Sequence, residues 1–366
     1  MNLPYPINPA LKDLPVYQPG RPIEEVAREF GLSPADIIKL ASNENPLGPS
    51  PAALQAMRDV LANLHLYPDG NAFYLKQHLA AKLGLDPTQL ILGNGSNEII
   101  EFLGHALLAP GVDAVMAQYC FVVNPLVTRL FGANPIIVPA KNYGHDLDAM
   151  LQAITPNTRV VFVVNPNNPT GTVVSVEALT RFVEAVPAQV VVAMDEAYLE
   201  FLDEPADFIP LIKSGRRPNL LLMRTFSKIY GLAGLRIGYG IACPELIAAL
   251  EKIRQPFNTN AVAQAGALAA LDDYAHVQRS RENNAVGLRY LEAACRTLGL
   301  EFVPSGGNFI LIKVGQGDQV FAAMQRLGVI VRPMGGYQLP EWVRVTIGTP
   351  PENERCVAAL KQALGK

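Results

Sequence analysis

Three runs, TRVVFVVN (158–165), AQVVVAMDE (188–196) and NLLLMRTF (219–226), decide the fold. Each is mainly β-branched or aliphatic and shows no alternating polar face. A strand apolar on both sides must be covered on both sides, which is the pattern of a parallel sheet between helices. The stretch VEALTRFVEAV (176–186) between the first two has helical periodicity. Working outward, LILG (90–93), DAVMAQ (113–118) and NPIIVPA (134–140) read as further strands. PAALQAMRDVLANL (51–64), AFYLKQHLAAKLG (72–84) and SNEIIEFLGHALL (96–108) read as helices, the last opening on a polar cap.

The texture changes after RQPFNTN (254–260). Long helices, AVAQAGALAALDD (261–273) and YAHVQRSRENNAVGLRYLEAACRTLG (274–299), precede short strands NFILIKV, VIVRP and WVRVTIG. Helices DQVFAAMQRL and ENERCVAALKQAL complete an α+β pattern. At the other end Pro4, Pro6, Pro9, Pro15, Pro19 and Pro22 break residues 1–30 into an irregular arm with one short helix after Pro22. The expected division is an arm (1–30) lying on the small domain or a partner subunit, a large α/β domain (31–255) with a mostly parallel sheet, and a small α+β domain (256–366). No internal repeat or low-complexity tract interrupts this order.

Composition narrows the function classes. The 366 residues are 49% hydrophobic, enough for a large core and two domains, and the 29 glycines and 30 prolines are dispersed. A net charge of −3 without a basic stripe argues against nucleic acid and anionic membranes as partners. Cys120, Cys243, Cys295 and Cys356 have neither C-x-x-C nor metal-finger spacing, so reduced, buried thiols and no metal are expected. The proline-interrupted start is not a signal peptide, and no apolar run reaches the length of a membrane span, so the cytoplasm is the expected location. His65, His78, His105, His145 and His276 fall on helix faces or loops and read as satisfied surface or core residues.

In open parallel sheets ligands bind beyond the carboxyl ends of the strands. Four polar clusters fall there: GNGSNE (93–98), NPNNPTG (165–171), DEAY (195–198) and TFSK (225–228). The first is a strand–turn–helix whose Ser96 and Asn97 amides sit at a helix N-terminus, where phosphate is favoured; a plain strand–helix turn fits equally. It lacks the third glycine of a dinucleotide fingerprint and the Gly-Lys-Ser/Thr of a P-loop. NPNNPTG is a turn, though three asparagines exceed what a turn needs. Asp195 and Glu196 close an apolar strand, so each must be paired: as a cap, in a salt bridge, or against a protonated ligand nitrogen. Lys228 is either an exposed loop residue or a partly desolvated amine near Arg236, made nucleophilic by a lowered pKa.

The ordered set GNGSNE, NPNNPTG, DEAY, SK…GLR resembles that of the fold-type I pyridoxal-phosphate (PLP) aminotransferases over nearly the whole chain. LASNENPLGPSP, YPDG, RTFSKIYGLAGLRIGYG, GNFI, VIVRP and VRVTIGT resemble, more narrowly, the histidinol-phosphate aminotransferases. The resemblance implies that Lys228 holds PLP as a Schiff base and carries a proton, that Asp195 pairs with the pyridine nitrogen, and that Asn168 and Tyr198 bond the ring's 3-oxygen. It implies Phe121 as the ring-stacking aromatic, with core packing as the alternative and Tyr119 as the register-shifted rival. The phosphate falls to Gly95, Ser96, Asn97, Thr225, Ser227 and Arg236, whose guanidinium offers a bidentate fork. Tyr67 resembles the tyrosine that reaches the phosphate from a neighbouring subunit, which implies a homodimer with a shared site; an ordinary loop aromatic is the alternative. Arg344 resembles the arginine for the amino donor's carboxylate, with Arg332, Tyr17 and Asn43 assisting; surface or packing roles remain open for Arg332 and Tyr17.

The implied reaction is transamination of L-histidinol phosphate with 2-oxoglutarate to imidazole acetol phosphate and L-glutamate, in histidine biosynthesis. Both substrates are anionic, and arginine suits both. The rivals are an aromatic amino-acid aminotransferase, a phosphothreonine decarboxylase-like enzyme with the same lysine and aspartate, and a catalytically silent regulatory domain. An oxidoreductase is disfavoured by the missing nucleotide fingerprint.

Overall fold

The computed structural model describes residues 7–11, 14–16 and 20–366. Its strands are β1 (Ile38–Lys39), β2 (Leu90–Gly93), β3 (Asp113–Ala117), β4 (Asn134–Val138), β5 (Thr158–Val164), β6 (Val191–Asp195), β7 (Leu220–Thr225), β8 (Gly238–Ile241), β9 (Phe302–Val303), β10 (Phe309–Lys313), β11 (Val329–Ile330), β12 (Arg332–Pro333) and β13 (Trp342–Thr346). Seven form one sheet in the order β2-β8-β7-β6-β5-β3-β4, in which β8 alone runs antiparallel to its neighbours on both sides.

The strands lack a polar face because both faces carry core. Val161, Val163, Val192, Met194, Leu220 and Leu222 join one cluster, with Leu75 and Leu79 of helix Phe73–Leu83 and Phe182 of helix Val176–Ala185. Val160, Phe162, Ala193, Leu221 and Met223 join the other, with Ile99 and Leu103 of helix Ser96–Leu107 and Leu250 of helix Pro244–Glu251. Each fully buried aliphatic side chain of this kind contributes about 1.5–3 kcal/mol. The doubly covered sheet is the α/β architecture expected from the sequence.

Strand β8, of sequence GYGI, escapes the apolar strand pattern because glycine weakens a strand. Gly238 is nonetheless required. A Cβ on Gly238 would lie 2.6 Å from Ser96 N and 2.8 Å from Arg224 O. The bare backbone lets the N-terminus of helix Ser96–Leu107 settle against the end of the sheet.

The C-terminal part holds a four-stranded antiparallel sheet, β12-β13-β10-β9. Ile310, Ile312, Val343 and Val345 pack with residues of helices Tyr274–Leu298, Gly317–Arg326 and Pro350–Ala363. The two cores exchange segments. Helix Ala261–Ala270 places Ala263, Ala267 and Ala270 in the large core, beside helix Pro51–Val60. Conversely β1 pairs with β11, and Val26, Ala27, Ile37 and Ala41 pack with Ile330. We therefore propose domain limits other than 30/31 and 255/256. Residues 20–41 go with the small domain, and the large core runs through helix Ala261–Ala270.

All four cysteines are buried and free. Among the described residues no helix is long and apolar enough to cross a membrane.

Candidate active site

A cavity of about 370 Å³ lies where the carboxyl ends of β6 and β7 meet the small sheet. It is lined by Asn43, Ser96, Asn97, Phe121, Asn168, Asp195, Tyr198, Thr225, Ser227, Lys228, Arg236, Arg332 and Arg344. All of these positions stand out in the sequence, and they converge from segments spread along nearly the whole chain. Tyr17 lies outside the described residues.

Strand alternation separates the two acids of DEAY. Asp195 faces the cavity, where its Oδ1 accepts from the Ala197 N–H at 3.0 Å. Burial pushes its carboxyl up to about 6, against the opposing pull of that N–H and of Lys228. Glu196 turns to the opposite face and accepts from Arg224 Nε at 2.7 Å, in a buried ion pair. The ligand-facing and salt-bridge readings of adjacent carboxylates both describe this strand end, one residue apart.

Lys228 follows β7, with its Nζ donating to Ser42 O at 3.3 Å and lying 5.6 Å from the Tyr198 ring centroid. Burial first, then the cations Arg344 and Arg236, bring its amine down to about 8, while Glu44 and Asp195 oppose this. At pH 7 roughly a tenth of such an amine is neutral and nucleophilic. Tyr198 accepts from Asn43 Nδ2 at 2.8 Å, so its own proton is available to an oxygen in the cavity. Asn43 itself has φ 54° and is pinned by Thr346, whose Oγ1 accepts from Asn43 N at 2.9 Å. Asparagine tolerates that left-handed backbone better than most residues.

An anion cup is built around GNGSNE. Gly95, at φ 77°, caps helix Ser96–Leu107, and a Cβ there would meet Arg236 Nη2 at 2.6 Å. Gly95 therefore underlies the cup and is not among the lining residues. Arg236 is also left-handed (φ 57°), with Nη1 donating to Ala233 O at 3.1 Å. Its guanidinium is held before a helix N-terminus, where amides and a fixed positive charge favour phosphate. Ser227 and Thr225 line the same end, with Ser227 N donating to Thr225 Oγ1 at 3.1 Å. Glu98 braces the turn: its Oε2 accepts from Asn94 N and from Asn258 Nδ2, each at 2.6 Å.

At the opposite end Arg344 donates from Nη1 to Asn168 Oδ1 and from Nη2 to Ala41 O, the latter at 2.8 Å. With its Oδ1 engaged, Asn168 offers its Nδ2 as donor. Arg332 is the register partner of Arg344, so the two guanidinium groups share a face of the small sheet.

Tyr67 does not line the cavity of this single chain; it is 82% exposed and stacks on Phe257 at 4.7 Å. Phe121 borders the cavity, whereas Tyr119 packs with Trp342 and Met334 and stacks on Tyr143 at 6.2 Å. Glu44 and Tyr337 also line it, and neither stands out in the sequence. Glu44 belongs to ASNEN, but nothing in that string tells which of its polar residues turn inward. Among the described histidines none lines it. His145 is buried, with Nε2 2.8 Å from Val164 O, and His78 pairs with Asp272 at 2.8 Å.

The sequence profile described as aminotransferase class I and II matches residues 35–360. The chain belongs to this aminotransferase family. It is 52% identical to the histidinol-phosphate aminotransferase of Akkermansia muciniphila, over 98% of each chain. It is 55% identical to histidinol-phosphate aminotransferase 1 of Cupriavidus pinatubonensis, over 95% of this chain and 94% of that one. Among solved structures, the histidinol-phosphate aminotransferase of Sinorhizobium meliloti in complex with pyridoxal-5'-phosphate superposes with a TM-score of 0.89 at 28% identity, covering 98% of this chain and 97% of that one. In this aminotransferase, then, the ordered clusters and their convergence on one cavity belong to one inherited scaffold.

Proposed function

We propose that the chain transfers the amino group of L-histidinol phosphate to 2-oxoglutarate, giving imidazole acetol phosphate and L-glutamate, with PLP held at Lys228. One observation carries the reading. A single cavity joins a low-pKa lysine and a buried carboxyl to one guanidinium at a helix N-terminus and two more across the cavity, in a chain more than half identical to enzymes of that name.

The residues fit PLP. Gly95, Ser96, Asn97, Thr225, Ser227 and Arg236 form a phosphate cup; Phe121 borders the ring's place; Asn168 and Tyr198 offer donors to the 3-oxygen. A buried carboxyl pushed up to about 6 is returned to its ionised form by a cationic ring nitrogen, which is the pairing proposed for Asp195. When bound, the group supplies an electron sink for the pair left by the substrate's α C–H bond.

The chain supplies the rest. Lys228 Nζ would hold the cofactor, then take the proton from the substrate α-carbon and deliver it to C4′ of the cofactor. Its low pKa keeps part of the amine in the basic form near neutrality. Arg332 and Arg344, with Asn43 and Tyr17, bind the phosphate of histidinol phosphate in one half-reaction and a carboxylate of glutamate in the other. One site serving both halves gives ping-pong kinetics.

We further propose a cytoplasmic homodimer with a shared site. Leu64, Leu66, Tyr67, Phe73 and Tyr74 are all at least half exposed, an apolar run that a second copy would cover. Tyr67 on that run would then reach the partner's phosphate cup. The test is a coupled assay for glutamate release from histidinol phosphate and 2-oxoglutarate, with borohydride fixing PLP to the protein. Turnover with the label on Lys228 supports the reading; a chain that neither binds PLP nor turns over sinks it. An aromatic amino-acid aminotransferase or a decarboxylase would keep the label but change the substrate.

A further inference from the structure

Asp195 and Thr225 reach the cavity from adjacent strands, and the neighbouring residue on each strand is turned to the other face. Residues Met194 and Leu222 belong to one core, Ala193 and Met223 to the other, so alternation places Glu196 and Arg224 together behind the site. They meet there as a buried ion pair at 2.7 Å, with Glu196 2% exposed. Arg224 is in turn the register partner of the buried Tyr239 on β8 and lies within electrostatic reach of it. A row Glu196–Arg224–Tyr239 thus crosses three strands beside the plane of Asp195. Glu196 N also donates to Met223 O at 2.8 Å, fixing the strand end to which Asp195 belongs. A second carboxylate, Glu200, lies near Arg224, and burial pushes it up to about 7.

An ion pair in this position is an inefficient way to hold a core. Two buried charges lose hydration, and apolar residues of similar size often do as well for stability. What charges provide that apolar side chains do not is a fixed geometry, through directional hydrogen bonds. The three linked strands are those that deliver Asp195 (β6), Thr225, Ser227 and Lys228 (β7), and the glycine-bare surface under Ser96 (β8).

We propose that Glu196, Arg224 and Tyr239 are positioning residues for the cofactor: a buried transverse tie that sets the spacing between Asp195 and the Thr225–Lys228 turn. None of them lines the cavity, and each acts through its neighbour on the site face. The proposal rests on the reading that the cavity holds PLP.

The experiment compares wild-type holoenzyme with Glu196→Gln and with the apolar double variant Glu196→Leu/Arg224→Met. It measures melting temperature, PLP dissociation constant, the visible absorption of bound PLP across pH, and kcat and KM. A misplacement on the ångström scale should lower kcat by about tenfold to a hundredfold with KM little changed, and weaken PLP by about tenfold. The double variant is expected to melt near wild type while keeping the altered absorption and low kcat. A double variant with wild-type absorption, PLP affinity and kcat overturns the proposal, as does a Glu196→Gln variant that loses only stability. Failure of both variants to fold also overturns it, since the tie would then serve the fold and not the site. A wild-type chain that binds no PLP sinks both this proposal and the reading beneath it, whereas altered variants of a PLP-binding chain with some other substrate leave the tie intact.

Discussion

Arg332 and Arg344 stand directly opposite each other on antiparallel strands β12 and β13, with both guanidinium groups bordering one cavity. Like charges opposed across a ladder repel, so the pair is best accommodated when an anion lies between them. Arg332→Gln should raise KM for both histidinol phosphate and glutamate by about tenfold to a hundredfold, the equivalent of one charge-assisted contact of about 1.5–3 kcal/mol. Steady-state kinetics on both half-reactions check this. Unchanged KM values for both substrates would place Arg332 outside substrate binding.

Lys228→Ala should abolish transamination while leaving the fold and the proposed dimer intact. The Nζ donates a hydrogen bond of 3.3 Å to Ser42 O, a contact on which little native structure depends. Sedimentation velocity and circular dichroism check the fold, and the glutamate-release assay checks activity.

Asp195→Asn separates stability from catalysis. In the protein without PLP the folded Asp195 carboxyl, up at about 6, holds its proton more tightly than the unfolded chain, whose value is 3.8. Stability therefore falls as pH rises between those values and stays lower above them. The neutral amide removes that loss, so the apo variant should match or exceed wild type by roughly 1–3 kcal/mol at pH 7 in urea unfolding, with the difference gone near pH 3. The same change should lower kcat severely, because the ring-nitrogen partner is lost. A pH-independent stability difference would contradict the assignment.

Gly95→Ala tests the phosphate cup. The added Cβ meets Arg236 Nη2 at 2.6 Å, on a backbone with φ 77° that alanine resists. A cost of about 1–2 kcal/mol and a weakening of PLP binding by roughly tenfold or more are expected, measured by thermal unfolding and by quenching of protein fluorescence on PLP addition.

Charging the exposed apolar run tests the dimer. Leu64 and Leu66 are 53% and 61% exposed in the single chain. The double change Leu64→Lys/Leu66→Lys should give a monomer of low activity by light scattering. A fully active monomer would show that Tyr67 plays no part across a shared site.

The central sheet is legible in the sequence because its strands are apolar on both faces, and the chemistry is legible because it stands at their ends. Strand β8 is not, since its function is to carry no side chains where Ser96 approaches. The exchanged segments escape for another reason: helix Ala261–Ala270 is apolar nearly all round, and its composition does not say which core it joins. DEAY shows the finer limit. The sequence places two acids at a strand end; only the pleat decides that Asp195 meets the ligand and Glu196 meets Arg224. Glu44 and Tyr337 sit outside the strands and long helices, where no periodicity predicts orientation.

The substrate assignment meets its most direct test in kcat/KM for L-histidinol phosphate set beside kcat/KM for L-phenylalanine, each with 2-oxoglutarate. Histidinol phosphate is expected to be preferred by about tenfold or more, because its phosphate presents close to two negative charges and three acceptor oxygens to Arg332 and Arg344, where phenylalanine presents a single carboxylate charge. A clear preference for phenylalanine would contradict the assignment while leaving the chemistry at Lys228 in place.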